Sequence, residues 1–124
     1  ISRFCIFIIN NKTYWRQRMA YTITWTMTRP DAETALPTVA SFSSANKSEH
    51  DTYEADNSVV KGYSTDGLVT TINFEFTDKA AYEALDFMSL TDEESVRSQY
   101  KAALIAANIT CVVVDSDGVE IANF

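Results

Sequence analysis

The stretch YTITWTMT, residues 21–28, decides the fold class of this chain. Apolar residues alternate with threonine along it, at Tyr21, Ile23, Trp25 and Met27. A period of two is typical of a β-strand with one face in the core. Pro30 should end the strand, because proline has no backbone N–H to donate to a neighbouring strand. We therefore predict a strand with its apolar side in the core and its threonine side facing away.

Two further strands joined by a tight turn are predicted in the middle of the chain. Residues 59–64 and 68–76 are rich in β-forming residues and flank Thr65-Asp66-Gly67. Asp-Gly is among the strongest short signals for a hairpin turn. In the second strand, Ile72, Phe74 and Phe76 should share the core face.

Helices are predicted on both sides of this hairpin. Pro37 favours a short helix over residues 35–50, because proline is tolerated in a first helical turn. Apolar spacing predicts a helix over 77–88. The capping-box sequence Thr91-Asp92-Glu93-Glu94 predicts that a third helix begins there and pairs Glu93 with Arg97. Strands at 109–114 and 119–124 follow, joined by a hairpin turn at Asp115-Ser116-Asp117-Gly118.

The order of these elements from residue 20 is β-α-β-β-α-β, if the second and third helices form one crossover. This is the order of the ferredoxin-like split βαβ fold, a four-stranded α+β sheet with its helices on one face. The strand at 109–114 is apolar on both faces, which is typical of a strand covered on both sides. A second copy of the sheet is the simplest cover for the open face.

In this element order, and in the stretch TINFEFTDKAAYEAL (71–85), the chain resembles the dimeric α+β barrel group. Two ferredoxin-like subunits of that group pack their open sheet faces together, so the resemblance implies a homodimer. The stretch MAYTITWTMTRP (19–30) is similar to small uncharacterised proteins of marine viral or metagenomic origin. Family enzymes include small monooxygenases and haem-degrading proteins, but the resemblance carries no catalytic motif, and their pocket histidine has no convincing counterpart here.

The first part of the chain differs from the rest in charge. Residues 1–18 carry four basic side chains and no acid, whereas the remaining residues carry 6 basic and 17 acidic ones. We expect an N-terminal extension over 1–18 and a ferredoxin-like domain over 19–124, with Met19 as an alternative natural start. Within the extension, Phe4–Ile9 and residues 13–15 are β-prone and flank Asn10-Asn11, which predicts a β-hairpin.

Composition excludes several classes of function. The net charge of −7 argues against nucleic acid as a partner. No apolar run approaches the ~18–20 residues of a membrane helix, so we expect no membrane partner and a cytoplasmic or virion-associated protein. One His and two Cys cannot supply the usual zinc ligands, and three glycines form no phosphate loop. We expect no metal and no cofactor.

The strongest candidate site on the sequence is Glu75, which lies in the middle of a strand among aromatic neighbours. On a barrel-facing surface, Asn73, Thr24 and Thr26 would line a polar ligand-binding cleft around it, and desolvation would raise its pKa. On a solvated face it would only favour solubility. His50 is expected to be a surface residue of a polar loop, and Cys5 and Cys111 two free thiols.

The sequence favours a non-enzymatic structural or accessory protein, for which the resemblance of residues 19–30 implies a viral or metagenomic origin. No catalytic residues are assigned. The alternative is a cofactor-free enzyme or small-molecule binder that uses the cleft around Glu75.

Overall fold

A computed structural model describes residues 4–9, 12–17, 20–39, 42, 46–56 and 59–124. Its strands are β1 (Phe4–Ile9), β2 (Lys12–Gln17), β3 (Tyr21–Thr28), β4 (Val60–Tyr63), β5 (Val69–Phe76), β6 (Thr110–Asp115) and β7 (Glu120–Asn123). Its helices are α1 (Lys47–Asp56), α2 (Lys79–Glu83) and α3 (Val96–Ala106), with a 3₁₀ turn at Asp86–Met88. Strands β3 to β7 form an open antiparallel sheet in the order β4-β5-β3-β6-β7. The chain therefore has an α+β fold.

The N-terminal hairpin is confirmed in its pairing. β1 and β2 form a separate two-stranded antiparallel sheet, with Phe4 opposite Gln17 and Ile9 opposite Lys12. The predicted turn at Asn10-Asn11 and the candidate start at Met19 lie outside the described residues. The division into an extension over 1–18 and a domain over 19–124 stays a prediction.

The central strand of the larger sheet is β3, which has the sequence YTITWTMT. β3 spans the predicted residues, pairs with β5 and β6, and buries all four of its apolar side chains. The helices pack on this buried face, as aromatic contacts between Trp25 and Tyr100, Tyr53 and Phe74, and Phe76 and Tyr82 show. The predicted core face is confirmed.

Among the described residues, this sheet has five strands. The ferredoxin-like order accounts for four of them, and the last predicted strand adds the fifth by pairing with β6. Its turn is held by Asp115, whose Oδ1 accepts hydrogen bonds from the amides of Asp117 and Val119, each at 2.9 Å. Gly118 supplies a positive φ of 81°, which glycine adopts without steric cost. This tight turn returns the chain directly along the edge of β6.

The first helix was misplaced by the sequence argument. Of the described residues in this range, 35–38, 42 and 46 are not helical, and α1 covers Lys47–Asp56. An ion pair of 2.9 Å joins Lys47 and Asp51 one turn apart, and Tyr53 is buried against the rings of the sheet. The position of α1 is therefore set by the burial of Tyr53, although most of the residues around it are polar.

The second predicted helix is interrupted. Asp78 caps α2 by accepting a 2.8 Å hydrogen bond from the amide of Ala81, and α2 ends after Glu83. The 3₁₀ turn that follows buries the adjacent residues Phe87 and Met88 together. A continuous helix would turn two adjacent side chains about 100° apart, so the break places both in the core.

The third helix begins later than predicted, so the capping box at Thr91 is wrong. Ser95 is the N-cap of α3, and its hydroxyl accepts a 3.0 Å hydrogen bond from the amide of Ser98. The same hydroxyl donates to the carbonyl of Ser89. Ser95 is completely buried. Ser95 is favoured over the exposed Thr91 as N-cap because its buried hydroxyl both accepts and donates a hydrogen bond.

Candidate binding site around Arg97

The four predicted site residues lie on the sheet face opposite the helices. Thr24 of β3 is directly opposite Asn73 of β5, and Glu75 is opposite Thr22. All four predicted residues are half-buried, and Oδ1 of Asn73 is inaccessible without a hydrogen-bond partner. The structure thus brings Thr24 and Asn73 together, with Thr26 two residues along the strand. Ligand binding on this face stays a prediction.

A charged side chain lies in the core on the other face of the sheet. Arg97 projects from α3 and is only 2% exposed. Its guanidinium carbon lies 5.5 Å from the ring centre of Trp25, 4.9 Å from that of Phe74 and 5.0 Å from that of Tyr100. Aromatic faces at these distances attract a cation. They stabilise the charge but offer no acceptor to N–H groups in the guanidinium plane.

The hydrogen-bonding capacity of Arg97 is mostly unused. Nη2 lies 3.1 Å from Nε2 of His50, whereas Nε and Nη1 have no hydrogen-bond partner. A guanidinium has five N–H donors. Nε carries one of them and Nη1 two, and these three donors are unpaired. Among the described residues, no carboxylate forms an ion pair with Arg97. Burying a charge without a counter-ion costs several kcal/mol, on the order of the penalty for one desolvated ion.

Burial also changes the titration of this group. It lowers the pKa of Arg97 to about 10, although the nearby Tyr100 and Glu54 oppose the shift. The guanidinium therefore keeps its positive charge at neutral pH. An anion that reached it would meet a fully charged, poorly hydrated donor.

His50 is not the surface loop residue that the sequence predicted. It lies on α1, is 1% exposed and meets the ring of Phe87 edge-on at 5.2 Å. Its Nδ1 lies 3.1 Å from Oδ1 of Asp51. A neutral ring that donates from Nδ1 to Asp51 accepts from Arg97 at Nε2. Two flanking polar residues suggested exposure, but His50 occupies the inner side of α1.

A pocket of about 330 Å³ opens beside Arg97 and is called the Arg97 pocket below. It is lined by residues 37–39, Glu54 of α1, Lys61 of β4, Ile72 and Phe74 of β5, and Arg97 and Tyr100 of α3. Its volume is in the range of small-molecule sites, and its walls combine apolar groups with a few charges. Two other pockets, of about 410 and 420 Å³, have no buried charged side chain in their lining.

Sequence reasoning missed Arg97 because it was predicted to pair with Glu93 at the surface. A signal was present, since Arg97, Tyr100 and Leu104 follow the i, i+3, i+7 spacing of one helix face. All three are buried. A basic residue inside an apolar stripe is more often assigned to the edge of that stripe, so the pattern alone did not mark it.

Other candidate chemistry is limited in the part of the chain that the structure describes. Cys111 is a free, buried thiol, as predicted, and burial raises its pKa to about 12, so it stays protonated. Among the described side chains, no group of three potential ligands could hold a metal ion. No helix in the described ranges is long and apolar enough to cross a membrane.

Comparison of the chain with protein-family models, curated proteins and solved structures found no match.

Proposed function

We propose that this protein binds the carboxylate group of a small organic molecule in the Arg97 pocket. The observation that carries the proposal is the unpaired Nε and Nη1 of a guanidinium that is 2% exposed and lines a pocket. Carboxylate oxygens accept hydrogen bonds from guanidinium with strong, charge-assisted geometry. A bound carboxylate would supply both the missing counter-ion and the missing acceptors.

A carboxylate with an apolar body fits the lining better than a phosphate. Glu54 contributes a negative charge to the same pocket and would repel a dianion. Ile72, Phe74 and Val39 offer an apolar surface that a phosphate cannot use. The combination of one buried cation, the exposed cation Lys61, one carboxylate and apolar walls favours binding of a small carboxylic acid.

The proposal is for binding without turnover. The described lining supplies groups that hold a ligand, and the buried thiol of Cys111 is protonated at neutral pH. Nucleophilic catalysis needs a nucleophile beside a base. A non-enzymatic accessory protein that carries a small ligand is consistent with this arrangement.

The test is calorimetric titration of the full chain with isocaproate, its matched alcohol isohexanol, and inorganic phosphate. We expect isocaproate to bind and the alcohol and phosphate to bind at least about tenfold more weakly, since the charge-assisted bonds are lost or mismatched. Arg97→Met should abolish isocaproate binding, and Arg97→Lys, which keeps the charge but loses the planar fork, should weaken it. Lys101→Met is the matched control, because Lys101 lies on the same helix outside the Arg97 pocket.

Binding of the alcohol as tightly as the carboxylate would overturn the proposal. So would isocaproate binding that persists in both Arg97 variants, or a wild-type chain that binds neither isocaproate nor any other small carboxylate. Each variant is first checked for a cooperative thermal transition, so that loss of binding is separated from loss of the fold.

We also propose a finer assignment of the fold and a partner. The strand order β4-β5-β3-β6, with β7 added at one edge, supports a ferredoxin-like split β-α-β-β-α-β domain. Half-buried Val112 and Val114 and the unpartnered Oδ1 of Asn73 on the open face support a second copy of the chain as its cover. Homodimer interfaces of this kind typically bury about 1,200 Å² or more in total.

Light scattering tests the dimer. We expect a mass near twice 13.9 kDa at micromolar concentration and a monomer for Val114→Lys, whose charge would be buried in the interface. Val119→Lys is the control, because Val119 is already exposed in the β6–β7 turn. A wild-type mass near 13.9 kDa would contradict the dimer. It would not affect the proposal of ligand binding in the Arg97 pocket.

A further inference from the structure

The negative charge in the Arg97 pocket has a defined position. Glu54 lies on α1, and its Oε1 is 3.2 Å from Nε2 of His50. The side chain of Glu54 is 44% exposed, whereas the ring of His50 is buried. The carboxylate therefore contacts the buried ring of His50 and remains accessible to solvent where Glu54 lines the pocket.

His50 cannot satisfy both of its neighbours with one nitrogen. Nε2 lies 3.1 Å from Nη2 of Arg97 and 3.2 Å from Oε1 of Glu54. If Nε2 accepts from Arg97, its lone pair cannot also serve as a donor to Glu54. If Nε2 carries a proton for Glu54, that proton opposes the donors of Arg97. In the neutral ring, the carboxylate of Glu54 lies beside the pocket without a hydrogen bond from His50.

The pocket thus presents a cation with unused donors and, beside it, a carboxylate that shares its nearest ring nitrogen with Arg97. We infer that its ligand is a zwitterion, a small α-amino acid with an apolar side chain, and this inference rests on the proposed function of the Arg97 pocket. The ligand carboxylate would take the donors of Arg97, and its ammonium would donate to Glu54. Its side chain would pack on Ile72 and Val39, which line the same pocket.

The arrangement of Arg97 and Glu54 also favours a ligand that carries both charges, since Lys61, the other charged residue of the lining, is exposed. Arg97 and Glu54 offset one another only at a distance, because no ion pair joins them among the described residues. A zwitterion places an opposite charge beside each of them at once. A simple carboxylate would neutralise Arg97 but bring a second negative charge towards Glu54.

The experiment compares amino acids with the same molecules lacking the amino group. The pairs are leucine with isocaproate, valine with isovalerate, and phenylalanine with hydrocinnamate, each titrated calorimetrically into the full chain. We expect at least one amino acid to bind about tenfold or more tightly than its partner, as charge-assisted hydrogen bonds predict. In Glu54→Gln this advantage should fall to within about threefold. Glu83→Gln, an exposed glutamate of α2 outside the pocket, should keep it.

The outcomes separate this inference from the proposed function. If the deaminated acids bind as tightly as every amino acid, the zwitterion is wrong, but the carboxylate site stands. If an amino acid keeps its advantage in Glu54→Gln, the ammonium does not lie at Glu54 and the inference fails. If neither member of any pair binds, the inference and the proposed function fail together.

Discussion

Nη2 of Arg97 lies 3.1 Å from Nε2 of His50, and this contact joins α3 to α1 across the sheet face that carries the core. The sequence separates the two residues by 47 positions. Each is almost fully buried, and His50 in turn contacts Asp51 near the surface. A series of contacts between polar side chains therefore runs from solvent to a guanidinium enclosed by three aromatic rings. Burying these polar side chains lowers the stability of the fold. We propose that they are retained because they form a binding site.

Replacing Arg97 by Met should leave the free energy of unfolding at neutral pH unchanged or raise it, by up to about 2 kcal/mol. The variant removes a buried charge that has no ion pair among the described residues, and it keeps an apolar chain of similar length. Burial lowers the pKa of Arg97 from its ordinary value to about 10, so the folded state disfavours the protonated form. The penalty is complete below about pH 10 and declines as pH rises from there towards the pKa of arginine in the unfolded chain.

Urea unfolding of both proteins at about pH 7, 9 and 11 checks this difference. The stability advantage of Arg97→Met should be constant between the first two pH values and smaller at the third. Other titrating groups are shared by the two proteins and largely cancel. A variant less stable than the wild type by about 2 kcal/mol or more would mean that the ring contacts of the guanidinium outweigh its desolvation.

The cap of α3 gives a second prediction. Ser95→Ala should lower the free energy of unfolding by about 1–2 kcal/mol, because it removes the acceptor for the Ser98 amide and the donor to the Ser89 carbonyl. Thr91→Ala is the matched control, since Thr91 is exposed and lies before the helix. It should change the free energy by less than about 0.5 kcal/mol. Equal losses in both variants would restore the capping box that the sequence predicted.

Local sequence patterns predicted the sheet well. β3 matches its predicted residues, because strict alternation of apolar and threonine residues admits only one face for the core. The hairpin between β4 and β5 follows from the Asp-Gly pair, with Gly67 at a φ of 76°. Both signals involve neighbours in sequence, so a single chain contains all the information they need.

The helix positions and the Arg97 pocket depend on distant contacts. Tyr53 anchors α1 by packing on Phe76 and by donating a 2.7 Å hydrogen bond to the carbonyl of Glu75. The polar sequence around Tyr53 does not indicate this. Arg97 is likewise defined by residues from three other elements, and its spacing on α3 alone fits a surface residue as well. Predictions failed where a polar side chain is buried by partners far along the chain.

The acid side of the stability profile should depend on Asp115. Burial would raise the pKa of this carboxyl, but hydrogen bonds from the Val119 and Asp117 amides and the Tyr21 hydroxyl hold it below its usual value of 3.8. A lowered folded pKa contributes stability that is present above the unfolded pKa and is lost as pH falls through the folded pKa. Asp115→Asn should therefore melt at a lower temperature near neutral pH and lose less stability on acidification.

Thermal melts of wild type and Asp115→Asn between about pH 6 and pH 2.5 measure this convergence. Asp117→Asn is the control from the same turn, and its melting temperature should stay parallel to that of the wild type. A constant gap between wild type and Asp115→Asn over the whole pH range would show that Asp115 acts only through the geometry of the turn.

The edge of the sheet gives the last prediction. Gly62 of β4 lies opposite Thr71 of β5, and a Cβ at Gly62 would lie 2.6 Å from Oγ1 of Thr71. Gly62→Ala should therefore lower the free energy of unfolding by about 1–2 kcal/mol, because a β-branched side chain in a strand has few alternative rotamers. The loss caused by Gly62→Ala should be much smaller in a Thr71→Ala background, which lacks the hydroxyl. The double variant should therefore be nearly as stable as Thr71→Ala alone. A double-mutant cycle from urea unfolding measures the coupling. Additive losses would show that the strand, and not the Thr71 side chain, excludes a side chain at position 62.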